Sequence, residues 1–308
     1  MSIGVLLMAY GGPDSLDEVE PFLLDIRGGR PTPPAVVEKI KERYSLIGGR
    51  SPLPEITRQQ AEALEARLNR DGGPRFRTYV GMRHWQPRIK EAVAQMAADG
   101  IEQAVALVMA PHYSKLSSGR YFERLDEAVG EPGADIVITR VESWHDHPGL
   151  ISALAERATA ALERFAAHEQ PKLIFTAHSL PSRILDRGDP YETQLRETAA
   201  LLAGRLSWPP DRWHFCYQSA GRSPESWLGP QIEDVVVELA QAGEKRLLVA
   251  PIGFVCDHVE VLYDIDIACR ELAERHGARL ERSESLNTSP TFIKALADLV
   301  LTNLPRPG

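Results

Sequence analysis

One pattern is written twice along this chain. Pro87, Ile89, Val93 and Gly100 recur as Pro230, Ile232, Val236 and Gly243 at a constant offset of 143, and the apolar runs that follow end in Ala110-Pro111 and Ala250-Pro251 at an offset of 140. A second echo starts each half. The apolar run 3–9 leads into Tyr10-Gly11-Gly12-Pro13, and the run 173–177 leads into His178-Ser179-Leu180-Pro181. Short apolar runs without polar alternation predict strands buried on both faces, which are the strands of parallel sheets. Between them lie segments of helical periodicity opened by Pro, Asp or Ser. The duplication therefore predicts an α/β chain of two similar Rossmann-like domains with parallel sheets and a cleft between them. The boundary is placed at 145/146, giving domains 1–145 and 146–308, with a final helix at about 290–304 that packs back on the first domain.

The 308 residues suffice for two such domains. A net charge of −8 argues against wholesale nucleic-acid binding. No apolar run reaches the length of a membrane span and no leader pattern opens the chain, so the expected compartment is the cytoplasm. Cys216, Cys256 and Cys269 lack the spacing of a zinc site and are too few for an all-cysteine iron–sulfur cluster, so ordinary thiols are expected.

In open parallel sheets, ligands bind beyond the carboxyl ends of the strands. Tyr10, His112 and His178 follow predicted strands directly. So does the stretch Asp257-His258-Val259-Glu260-Val261-Leu262-Tyr263-Asp264, after the run 245–251. Asp257, Glu260 and Asp264 are spaced i, i+3 and i+7, which puts three carboxylates on one face of the helix expected there. Such a face is either a solvated helix start favoured by the helix dipole, or a place where a divalent cation or transferred protons offset the repulsion. A histidine at one strand end and acids at another favour metal or proton chemistry.

Taken together, Ala9-Tyr10-Gly11-Gly12-Pro13, the run YSLIGGRSP at 44–52, Ala177-His178-Ser179-Leu180-Pro181, Trp227-Leu228-Gly229-Pro230 and the 257–264 stretch resemble the ferrochelatase family along almost the whole chain. Within it the chain looks most like the compact bacterial enzymes that insert ferrous iron into coproporphyrin III. Tyrosine at position 10 is the main pointer, because relatives that use protoporphyrin usually carry another residue there. The resemblance implies a porphyrin in the cleft, with His178 and Glu260 acting as metal ligands and catalytic groups on one face of the macrocycle and Tyr10 at the opposite face. It further implies that Arg27, Arg43, Tyr44, Ser51 and Tyr121 contact the porphyrin or its propionates. His84 and His112 match positions lining the cleft, where structural roles are equally open. Fe²⁺ is expected as the substrate metal, without an iron–sulfur cluster. A heme product, a downstream heme-synthesis enzyme as partner and a monomeric state are also expected.

The residue types suit that chemistry independently. Insertion strips water from Fe²⁺ and removes two pyrrole protons. A histidine with an ordinary pKa of about 6.5 binds a metal or accepts a proton near neutrality. A glutamate beside it offers an oxygen ligand and a second acceptor, a set that suits ferrous iron and discriminates weakly against zinc or cobalt. His178 is read as taking the pyrrole protons and Glu260 as handling metal and proton relay, with the reverse division open. Coproporphyrin carries four propionates, which gives Arg27, Arg30, Arg43 and Arg50 a reason to be near it. Two positions depart from the family pattern. Ala268 stands where many relatives continue the acidic ridge, and Gly28 stands where some carry another arginine. The rival readings are the same chemistry on protoporphyrin IX, a cobalt chelatase of the same fold, and a heme carrier without turnover.

Overall fold

The computed structural model describes residues 2–305, apart from 71, 131, 132, 134, 167 and 222. Its compact units are Met1–Ala110 with Ser117–Trp144 and Asn287–Gly308, and Pro111–Leu116 with His145–Leu286. The first unit holds β1 (Ser2–Ala9), β2 (Arg75–Met82), β3 (Gln103–Val108) and β4 (Val137–Val141) in the order β2-β1-β3-β4. The second holds β5 (Lys172–His178), β6 (Trp213–Gln218), β7 (Arg246–Ala250) and β8 (Arg279–Arg282) in the order β6-β5-β7-β8. Every pairing is parallel. The two orders are the same once renumbered, so the repeat in the sequence is a repeat of topology.

The central strands explain the unbroken apolar runs. Val5, Leu6, Leu7 and Met8 are all fully buried, which requires cover on both faces of the sheet. Leu6 and Met8 pack with Ile89, Val93 and Met96 of the helix Ile89–Ala98 and with Phe122 and Leu125 of the helix Ser118–Val129. The helix Leu53–Leu68 lies against β1 and β2, and the last helix, Pro290–Thr302, packs on it. Phe292 of that helix stacks on Trp144 at 6.1 Å between centroids, and the Trp144 indole N–H donates to the Val108 carbonyl at 3.1 Å. In the second unit, Ile174, Leu247 and Val249 pack under Ile232, Val235 and Val236 of the helix Ile232–Gln241.

The repeated prolines share one job. Pro87 and Pro230 both follow cis peptide bonds. Each carbonyl accepts a hydrogen bond from near the end of an edge strand, Met82 N–H at 2.6 Å and Tyr217 N–H at 2.8 Å. Each then leads into a helix that covers its sheet. Two strands carry too little apolar signal to be read in advance. β6 is Trp-His-Phe-Cys-Tyr-Gln, and β8 spans four residues at an edge.

Strand order fixes where a site forms. The chain leaves β1 towards β2 on one side and places β3 on the other, so the carboxyl end of β1 faces a switch point, and β5 lies likewise between β6 and β7. Tyr10 follows β1, His178 ends β5, and the Glu260 stretch follows β7. No helix among the described residues is long and apolar enough to cross a membrane.

Truncating the fully buried Phe292 by Phe292→Ala removes the stack on Trp144. The expected loss is about 3–5 kcal/mol. It should appear in urea denaturation followed by tryptophan fluorescence as a lower midpoint.

Candidate active site

His178 is the last residue of β5, and its Nδ1 lies 2.9 Å from Glu260 Oε2. Neighbouring backbone and side chains hold both partners. The buried Tyr191 hydroxyl donates to the His178 carbonyl at 2.9 Å. Gln218, fully buried at the end of β6, accepts from the Thr176 hydroxyl at 2.7 Å and donates to the Glu260 carbonyl at 2.7 Å. Gly253 lets the loop after β7 approach β5. A Cβ there would stand 2.6 Å from the Ala177 Cβ and 2.9 Å from its Cα, and the Gly253 N–H donates to the Thr176 carbonyl at 3.2 Å.

The acids do not share one face. Asp257 precedes the helix, which begins at Val259, and its carboxylate accepts from Ser285 at 2.7 Å and pairs with Arg282 at 3.4 Å. The spacing argument fails for Asp257 because it assumed a helix already formed at that residue. The helix also changes pitch. Asp264–Cys269 is a π-helix, with the Ala268 N–H donating to the Tyr263 carbonyl at 2.9 Å. Its i→i+5 bonding widens the turn, a feature common at functional sites. Asp264 accepts from the Ser219 hydroxyl at 2.5 Å, while Asp266 takes both guanidinium arms of Arg282 at 2.8 Å. Arg282 thus pairs with both Asp257 and Asp266, the latter also approached by Arg270 at 3.7 Å, leaving Glu260 and Asp264 on the His178 side.

The charges follow from these contacts. Burial works to lower the His178 pKa, but the Glu260 charge, its hydrogen bond and Asp264 raise it overall above its ordinary value. Burial works to raise Glu260, yet the charge and hydrogen bond of His178, and then His258, hold it well below the usual carboxylate range. The resting pair is therefore imidazolium and carboxylate. The Nε2 of His178 has no hydrogen-bond partner among the described residues. His258 adds a second imidazole. Its Nδ1 donates to the Cys256 carbonyl at 3.0 Å, and its Nε2 stands 3.9 Å from Glu260 Oε2. The Cys256 thiol is buried and pushed up to about 12, so only its carbonyl serves the site.

In the first unit Tyr10 is 38% exposed, tilted over His84 at 4.8 Å and edge-on to Phe22 at 6.3 Å. His84 bonds Asp25 at 2.8 Å, and burial followed by the charge of Arg83 brings its pKa down to about 4 despite Asp25, so it stays neutral. The turn needs its glycines. Gly11 has φ +97°, and a Cβ on Gly12 would sit 2.4 Å from the Ser51 hydroxyl oxygen, so Ser51 is buried against bare backbone. Arg27 and Arg30 close the loop between them by reciprocal Nε–H to carbonyl bonds of 3.2 and 3.1 Å, and neither has a carboxylate partner among the described residues. Arg43 is half-buried in the last turn of the helix Pro34–Leu46. The ring of Tyr44 is buried, and that of Tyr121 lies in the core with the Arg83 guanidinium 5.4 Å above it.

The family model for ferrochelatase matches residues 2–304. The chain belongs to the ferrochelatase family. It is 47% identical over 300 residues to "Ferrochelatase" of Deinococcus radiodurans, covering 97% of this chain and 95% of that protein. It is 42% identical over 313 residues to "Coproporphyrin III ferrochelatase" of Geobacillus thermodenitrificans, covering 100% of this chain and 98% of that protein. Among solved structures, SirB from Bacillus subtilis with Fe³⁺ superposes with a TM-score of 0.62 at 12% identity, covering 98% of this chain and 96% of that one, a likeness of fold. This ferrochelatase is thus a metal chelatase of porphyrin and heme biosynthesis, with ferrous iron as substrate, a porphyrin as acceptor and a heme as product.

In this ferrochelatase the structure brings together His178 and Glu260, and separately Tyr10 and His84. Sequence reasoning passed over Gln218, Ser219, Tyr191 and His258. Gln218 ends β6, one of the two strands with too little apolar signal, and Ser219 follows it directly. His258 stood in plain view two residues before Glu260, and only its own alternation with Glu260 hinted at a shared site.

Two outcomes follow from this geometry. The His178 resonance, followed by NMR with labelled histidine, should titrate above about 6.5, and Glu260→Gln should move it down, because the carboxylate holds the proton. The pair's contribution to stability is lost as pH rises through that raised value, and also as pH falls through the depressed value of Glu260. Gly253→Ala forces the loop off β5. It should cost about 1–3 kcal/mol of stability and, by shifting Glu260, at least about tenfold in insertion rate.

Proposed function

We propose that this ferrochelatase inserts Fe²⁺ into coproporphyrin III to give coproheme. The observation that carries the reading is Tyr10, a phenol left 38% exposed directly after β1, whose last six residues are buried. The relative from Geobacillus thermodenitrificans that bears this specificity in its name aligns with the whole of this chain. The cationic loop supports it too. Arg27 and Arg30 have no carboxylate partner among the described residues, and a substrate with four propionates supplies carboxylates. Arg43 and Ser51 extend this set, and for Tyr44 and Tyr121, whose rings are buried, the contribution is the phenol oxygen.

His178 and Glu260 divide the work according to their proton affinities. A base is as strong as its pKa, and that of His178 is raised while that of Glu260 is depressed. Glu260 stays an anion and serves as a metal ligand. His178, once neutral, takes a pyrrole proton on Nε2 and is restored to the imidazolium that Glu260 holds, the proton leaving to solvent before the next turnover. Turnover then needs His178 to lose its resting proton first, so the rate should rise with pH on an acid limb centred above about 6.5.

Anaerobic insertion followed by absorbance tests the substrate, with coproporphyrin III and protoporphyrin IX in parallel and Glu260→Gln as control. Faster loss of free-base bands with coproporphyrin, and none in the control, is expected. Faster turnover of protoporphyrin would overturn the Tyr10 argument and leave the family activity standing. Arg27→Ala should raise KM for coproporphyrin about threefold to tenfold with kcat nearly unchanged, since Arg27 is exposed and its ion pair is partly screened.

A further inference from the structure

The turn that opens the second unit plays no part in the site described above. His145 Nε2 lies 3.0 Å from Glu197 Oε2, and a carboxylate oxygen of Asp146 joins them, all three atoms falling within 4.8 Å of one another. Two ligand atoms bonded to one metal at about 2.1 Å and at right angles are themselves about 3.0 Å apart. His145 and Glu197 stand at that separation as hydrogen-bonded partners, so a metal would take the place of the proton between them, and the exposed Asp146 offers a third ligand oxygen within 4.8 Å of both. The charge is also uncompensated. Neither Asp146 nor Glu197 has a lysine or arginine partner among the described residues, and the imidazole of His145 pairs with Glu197 alone of the two.

The backbone beneath these side chains is fixed. Thr198 donates its hydroxyl proton to the His145 carbonyl at 2.8 Å and receives the Nε2–H of His112 at 2.9 Å. His112 is fully buried, and burial together with His145 brings its pKa down to about 3, so it remains a neutral donor. On the other side of Asp146, His147 Nδ1 accepts from the Gly149 N–H and caps the helix Pro148–Leu162. The His145 ring is 13% exposed and the Glu197 side chain 53% exposed. The ligands are thus anchored from the protein side, with an open side for water or an incoming ion.

We propose that His145, Asp146 and Glu197 bind a divalent first-row transition ion at a site built without His178 or Glu260. One imidazole with two carboxylates accepts Fe²⁺, Co²⁺ and Zn²⁺, and binds Mg²⁺ weakly because the nitrogen is a poor ligand for it. The proposal stands on this local geometry and does not depend on which porphyrin is the substrate.

The test is an anaerobic titration of metal-stripped full-length protein with Co²⁺, read by calorimetry and by visible absorption. Asp146→Asn with Glu197→Gln should lose one binding event, its Kd rising at least about tenfold. Glu260→Gln should keep that event. Matching isotherms for wild type and the double variant would overturn the proposal. Anomalous diffraction from wild-type crystals soaked in Co²⁺ decides the question without any variant. A peak between the three side chains is expected, and a map empty there while the protein binds Co²⁺ elsewhere overturns it.

Discussion

The contact between His178 and Glu260 is the interaction on which the second unit is organised. Neither residue would keep its charge state without the other, since burial opposes both ionised forms. His178 ends β5 and Glu260 lies on the short helix after β7, and the order β6-β5-β7-β8 makes β5 and β7 neighbours, which lets the two meet at 2.9 Å. Gly253 then removes the one Cβ that would hold the two strand ends apart. Gln218 reaches from β6 to the Glu260 carbonyl, so three of the four strands hold one ion pair.

Arg282 does the complementary work. The segment 257–266 carries four carboxylates, which would repel one another if all faced one site. Arg282 draws Asp257 and Asp266 to one side through two sets of contacts, and being buried it interacts with both in a medium that screens poorly. The π-turn gives the sequence room for this division. A regular helix through 257–266 would stack Asp257 and Glu260, while the late helix start and wide turn separate the acids that stabilise the fold from those left beside His178.

What the sequence made legible was what depends on local pattern. The apolar runs of β1, β3, β5 and β7 mark central strands because burial on both faces leaves no room for polar alternation. The repeat of Pro87 and Pro230 reflects a turn that closes back on an edge strand in each sheet. What was hidden depends on partners distant in sequence. Trp213 to Gln218 reads as an indifferent mixture of aromatic and polar residues until its place beside β5 is known. The role of Asp257 is decided by Arg282 and Ser285, beyond any helical window. The π-turn has no signature in hydrophobic spacing, and it redirected an inference drawn from a period of 3.6 residues.

On the proposed roles, metal entry and proton loss are one linked event. The resting imidazolium of His178 and carboxylate of Glu260 are together neutral, with Asp264 adding a negative charge nearby. A ferrous ion approaching Glu260 replaces the positive charge that His178 was supplying. It competes for the carboxylate that had raised the histidine's pKa, and its own charge disfavours the imidazolium. His178 therefore gives up its proton when the metal arrives and becomes an acceptor when pyrrole protons must leave. The same contact that raises the pKa of His178 at rest makes that pKa sensitive to metal, so Glu260→Gln should remove the metal dependence of the His178 NMR titration along with the insertion activity.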